Sequence, residues 1–118
     1  MKENVAIIGC GTVGTALAKL LGRAGYPIVG ISTTDAERAH QMAQQIGVSR
    51  SSSAPWEVTR KAGLVFITTP DDIIQTTCET LASKNAFDPG TVVIHCSGSH
   101  PSTILESAQR CNALTLSI

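Results

Sequence analysis

Five apolar runs of strand length punctuate the chain: Val5 to Ile8, Ile28 to Ile31, Leu64 to Ile67, Thr91 to Ile94 and Leu114 to Leu116. The first and the central runs show no polar alternation, the pattern of parallel strands covered on both faces. Between them the period changes to that of a helix. Val13, Leu17, Leu20, Leu21 and Ala24 recur at helical spacing and stop at Gly25, which predicts an apolar helix face ended by a glycine. Thr34-Asp35-Ala36-Glu37 reads as a capping box opening a second helix, with Ala39, Met42, Ala43 and Ile46 on its inner face and Gly47 as its stop. Val48 is expected in a short third strand, and the serine-rich stretch from Ser49 to Ser53 as a polar connection. Pro55 suits the first turn of a brief helix ending near Gly63. Asp71 and Asp72 suit the positive end of another that runs through Ile73, Ile74, Thr77, Cys78 and Leu81. A last helix is expected from Pro101, burying Ile104, Leu105 and Ala108. Strand and helix alternating throughout predict one three-layer α/β domain over residues 1–118, a doubly wound, mostly parallel sheet of order 3-2-1-4-5-6.

The chemistry concentrates in Gly9-Cys10-Gly11-Thr12-Val13-Gly14, set directly after the first strand and opening the first helix, with Ala18 four residues further on. A G-x-G-x-x-G run alone is a weak signal; strand before and helix after make it a strong one. Gly9 permits a tight turn, Gly11 lets the backbone approach a pyrophosphate, and Gly14 lets helix and strand pack closely. The backbone N–H groups of Thr12 and Val13 then face the phosphates, aided by the helix dipole. The bland alternative is a glycine turn serving chain geometry alone. A triphosphate-binding P-loop is excluded, because no Gly-Lys-Ser/Thr follows.

A unit selective for NAD places Asp or Glu after the second strand to accept the ribose hydroxyls. Ser32, Thr33 and Thr34 stand there instead, with Arg38 one turn into the next helix. Hydroxyl donors without a repelling carboxylate predict NADP, with NAD as the alternative cofactor. Asp35 is the competing ribose ligand, and a first-turn role in the second helix is the more ordinary one. Arg38 is equally compatible with a solvated surface residue. In an open α/β sheet the ligand crosses the carboxyl ends of the strands at the switch point. Thr68, Thr69 and Pro70 after the fourth strand are therefore expected to line the cofactor, and Ser97 and Gly98 after the fifth to approach the nicotinamide. Pro70 as a simple strand stop and Ser97 as a turn hydroxyl are the structural alternatives.

The glycine run, Thr69-Pro70-Asp71-Asp72, and Val93-Ile94-His95-Cys96-Ser97-Gly98 together resemble the N-terminal Rossmann-like domain of the 6-phosphogluconate dehydrogenase-like superfamily. Within it, the chain looks most like NADP oxidoreductases allied to pyrroline-5-carboxylate reductase and the deazaflavin-dependent NADP reductases. The resemblance covers nearly all of the chain. It implies an NAD(P)-binding domain of a hydride-transferring enzyme and, beyond residue 118, a helical domain that completes the substrate site and a homodimer. Many relatives carry Arg where this chain has Thr33, so the margin expected for NADP over NAD is modest.

The remaining composition narrows the alternatives. Nine Lys and Arg balance nine Asp and Glu, which argues against a nucleic-acid partner held by bulk charge. The early apolar run is too short for a signal core or a membrane span, so a cytoplasmic protein without membrane attachment is expected. Four Cys without a C-x-x-C pair and three scattered His point to free thiols and no metal site. His95 lies in an apolar run and reads as a core residue; His100 precedes Pro101 at a helix start. With no complete acid–base set, the catalytic groups stay unassigned. A non-catalytic dinucleotide sensor and, less fittingly, an S-adenosylmethionine-binding methyltransferase domain share the glycine turn. Leu114, Leu116 and Ile118 alternate along the last strand, a pattern suited to packing against a further surface.

Overall fold

The computed structural model describes residues 3–9, 11–48, 50–60, 62–69, 73–87, 90–95 and 114–117. In chain order they form β1 (Val5–Ile8), α1 (Thr12–Arg23), β2 (Ile28–Ser32), α2 (Ala36–Ile46), β3 (Ser51–Ser52), α3 (Trp56–Thr59), β4 (Leu64–Ile67), α4 (Ile74–Ser83), β5 (Val92–His95) and β6 (Leu114–Ser117). The strands make one parallel sheet of order β3-β2-β1-β4-β5-β6, the doubly wound order that the alternation predicts. The helix expected from Pro101 lies outside the described residues.

Strand residues point alternately to the two faces, and each face has its own core. Ala6, Ile8, Val65, Ile67 and Val93 face Val58 of α3 and Ile74, Cys78 and Leu81 of α4. Val5, Ile7, Phe66 and Ile94 face Ala18, Leu17 and Leu21 of α1. Burial on both sides explains why β1 and β4 read as unbroken apolar runs.

Four local expectations are corrected. The third strand is Ser51–Ser52, inside the stretch read as a connection, and not at Val48. It is a two-residue edge paired to Ile31 and Ser32. Too short and polar to show a hydrophobic period, it is fixed by this pairing. In α1, Val13 and Leu20 are 50% and 61% exposed; the side against the sheet is Gly14, Leu17, Ala18 and Leu21. Leu17 and Leu21 pack on the core as expected, and the small residues Gly14 and Ala18 beside them let the helix sit close. The N-cap of α2 is Asp35, not Thr34: its Oδ1 accepts from the Glu37 and Arg38 N–H groups at 3.0 and 3.3 Å. The fifth strand begins at Val92 and includes His95, which is fully buried.

Candidate functional site

The parallel register aligns the carboxyl ends of the strands. Ile8 pairs with Ser32 on one side and Ile67 on the other, and Ile67 pairs with His95. The residues that follow, Gly9, Thr33 and Thr68, thus emerge side by side. Because α1 leads from β1 toward β2 while α3 leads across to β4, this is also where the winding reverses and a crevice must open.

The chain leaves β1 through Gly9, whose φ of +96° is left-handed and favours glycine. Both ends of this residue are tied down. Its N–H donates to the Ser32 carbonyl at 2.6 Å, and its carbonyl accepts from Thr68 Oγ1 at 2.7 Å. Thr68 Oγ1 also lies 3.1 Å from the Ile8 carbonyl. A Cβ on Gly14 would run into the Gly9 carbonyl and come within 2.6 Å of Thr68 Oγ1. The third glycine therefore allows α1 to settle onto the turn.

Gly11 differs from both. It is the N-cap of α1, in extended conformation, with no side-chain capping bond and no acid in the first turn. The first N–H groups of a helix have no partner within it, and here the cap offers them no side-chain bond and the first turn of the helix holds no acid. A Cβ built on Gly11 meets no atom within 4 Å. The backbone thus faces open space at the positive end of a helix, the property an anion-binding turn requires.

That space is a cleft of about 530 Å³. Gly9, Gly11 and Val13 form its floor, Ser32, Thr33, Thr34 and Arg38 its β2 side, and Thr68 and Thr69 its β4 side. Arg38 is the only charged group among the described lining residues. Asp35 lies outside the lining, its carboxylate engaged on the α2 N-terminus. Ser32 is buried, Thr33 half-buried, and Thr34 and Arg38 exposed. Thr12 opens α1, and Gly14 is buried beneath the cleft. Pro70, Ser97 and Gly98 lie outside the described residues.

Sequence reasoning missed Ser53 and Pro55 from the β3–α3 connection and Ile73 ahead of α4, all of which line the cleft. Ser53 and Pro55 face it because β3 pairs with the end of β2, a tertiary relation that no local spacing reveals. Ile73, read as part of a helix running on through Ile74, is 36% exposed. Its place on the rim follows from its being the N-cap residue of α4.

Among the described residues no helix is long and apolar enough to cross a membrane. No three His, Cys, Asp or Glu among them come together as a metal site would require.

Solved structures share this architecture. A protein assigned as an NADP oxidoreductase, from Bacteroides fragilis, is 25% identical, with a TM-score of 0.80 over 89% of this chain and 40% of that one. Arogenate dehydrogenase from Synechocystis is 21% identical, with a TM-score of 0.76 over 92% of this chain and 37% of its own. Imine reductase from Pseudomonas sp. is 22% identical, with a TM-score of 0.73 over 99% and 41%. The chain therefore spans about two fifths of each of these proteins. Among curated proteins none matches. The model of the family described as Rossmann-like domain matches residues 1–118, and with the sheet order and glycine turn in place the chain belongs to that family.

Proposed function

We propose that the chain binds a nicotinamide dinucleotide, NADP in preference to NAD, as the cofactor-holding part of an oxidoreductase. The observation that carries this reading is the pairing of an uncapped α1 N-terminus at Gly11 with a cleft whose only described charged lining residue is Arg38. The Thr12 and Val13 amides would hold the pyrophosphate, with Gly9, Gly11 and Gly14 shaping the turn. Ser32, Thr33, Thr34 and Arg38 would hold the adenosine ribose and its 2′-phosphate, where hydroxyls and a guanidinium suit an anion and a carboxylate would repel it. Thr68, Thr69 and Pro70 would border the second ribose, and Ser97 and Gly98 the nicotinamide. When bound, NADPH supplies a hydride; this chain's residues bind and orient. Substrate groups, in this reading, come from a helical domain that also forms a homodimer.

Calorimetric titration with NADPH, NADH and S-adenosylmethionine tests the assignment. NADPH is expected to bind most tightly, by a modest margin over NADH. Tighter NADH binding that Asp35→Ala removes would overturn the NADP preference, and binding of S-adenosylmethionine alone would overturn the dinucleotide reading.

A further inference from the structure

Resting on the dinucleotide reading above, we infer that Thr68 is a positioning residue for the phosphate-binding turn: its hydroxyl holds the Gly9 carbonyl away from the anion that the α1 amides receive. Thr68 belongs to the residues following β4, which the sequence marks as bordering a ribose. Its side chain has another occupation. Oγ1 stands 2.7 Å from the Gly9 carbonyl oxygen and 3.1 Å from that of Ile8. A hydroxyl has one proton, and the shorter contact identifies Gly9 as the main acceptor.

Gly9 lines the cleft, so its peptide orientation decides what the cleft presents. A carbonyl oxygen carries partial negative charge and would oppose a phosphate; an N–H would welcome it. The bond from Thr68 anchors the oxygen beneath the first turn of α1, the place a Gly14 Cβ would occupy. The bond from the Gly9 N–H to the Ser32 carbonyl, 2.6 Å, fixes the other side. The left-handed Gly9 peptide is thus clamped between β2 and β4, and Gly11 and the α1 amides start from a fixed point. Glycine is the residue with most freedom to rotate, which makes an external clamp here effective. The threonine methyl cannot do this work; the hydroxyl can.

The test compares the full chain with Thr68→Ser, Thr68→Ala and Thr68→Val, titrated with NADPH, ADP-ribose and adenosine 2′-monophosphate, alongside thermal unfolding. ADP-ribose carries the pyrophosphate and adenosine 2′-monophosphate does not. ADP, which has the pyrophosphate without the second ribose, is titrated beside them and should weaken with ADP-ribose, whereas a loss for ADP-ribose with none for ADP would mark direct ribose contact and overturn the positioning role. Thr68→Ala is expected to weaken NADPH and ADP-ribose by about fivefold, the worth of one lost hydrogen bond. Thr68→Val should weaken them further, because it puts a methyl where the hydroxyl met the carbonyl. Thr68→Ser should restore both, and adenosine 2′-monophosphate should bind alike throughout. If Thr68→Val fails to fold, Thr68→Ala carries the comparison without the added methyl. Unchanged affinity for NADPH and ADP-ribose in Thr68→Ala would overturn the positioning role, as would an equal loss for all four ligands. Failure of the unaltered chain to bind NADPH or ADP-ribose would instead overturn the dinucleotide reading beneath it.

Discussion

The three glycines of the turn should separate cleanly when each is given a methyl group, and Gly11 is the one that reports on ligand binding. Its φ of −75° and ψ of −164° are ordinary for any residue, and a Cβ there meets no protein atom within 4 Å. Gly11→Ala loses a slightly better N-cap but restricts the unfolded chain, so stability should move by no more than about 0.5 kcal/mol. The bound state is different. A phosphate oxygen accepts from an amide at about 2.9 Å, whereas an added carbon keeps such an atom about 3.5 Å away. One charge-assisted hydrogen bond, worth about 1.5–3 kcal/mol, is then lost or badly strained, which corresponds to about 10- to 150-fold weaker NADPH binding. Gly11→Val, with more bulk in the same space, should bind less still while remaining folded. Calorimetry read beside circular dichroism and thermal unfolding distinguishes the two effects. A folded Gly11→Val protein that binds NADPH within twofold of the unaltered chain would refute the phosphate-cradle reasoning.

Gly14→Ala should be destabilised by about 1–3 kcal/mol, since the methyl must displace the Gly9 carbonyl or lift α1 from the sheet; an unchanged unfolding midpoint would contradict this packing. Asp35→Ala should cost about 1 kcal/mol of stability through the lost α2 cap and leave NADPH affinity nearly intact, with a large loss of affinity pointing instead to a ribose ligand. Arg38→Gln should weaken NADPH by about tenfold, the effect of one charged contact, and barely change NADH. Parallel titrations check this, and equal loss for both cofactors would remove Arg38 from the 2′-phosphate site.

The fold was largely legible because its central strands are buried on both sides, and such strands announce themselves as apolar runs. Val5–Ile8 and Leu64–Ile67 are bounded as the pattern predicts. The edge strand Ser51–Ser52 was illegible for the converse reason. Its backbone pairs with Ile31 and Ser32, and its side chains carry no hydrophobic signal. In α1 the predicted face holds for Leu17 and Leu21 and fails for Val13 and Leu20: counting apolar residues favours the last two, whereas the sheet accepts Gly14 and Ala18 for their small size. The glycine turn could be read from its spacing together with the strand before it and the helix after it. Ser32, Thr33, Thr34, Arg38, Thr68 and Thr69, expected from their places after the second and fourth strands, also line the cleft, whereas Ser53, Pro55 and Ile73 were missed because they reach it through strand order and chain crossings. Thr68 was noticed for its place after β4, while its bonds to Ile8 and Gly9 span 60 and 59 residues of sequence.

A reductase must deliver a proton as well as a hydride, and the described lining is poor in groups able to do so. Arg38 is its only charge, and the planar donor fork of a guanidinium suits holding an anion. The hydroxyls of Thr33, Thr34 and Ser53 are weak acids, and that of Thr68 already donates to the Gly9 carbonyl. Asp35, the acid beside the cleft, caps α2. These residues suit holding a cofactor and not acid–base chemistry, so under the proposed function the proton donor would lie outside the described lining. The 118-residue chain should therefore bind NADPH yet oxidise none of it with imino- or oxo-acid substrates, followed as absorbance at the reduced nicotinamide band. Rapid oxidation dependent on such a substrate would refute this and put the donor within the chain. His95→Gln and His100→Gln would then show whether either imidazole supplies the proton.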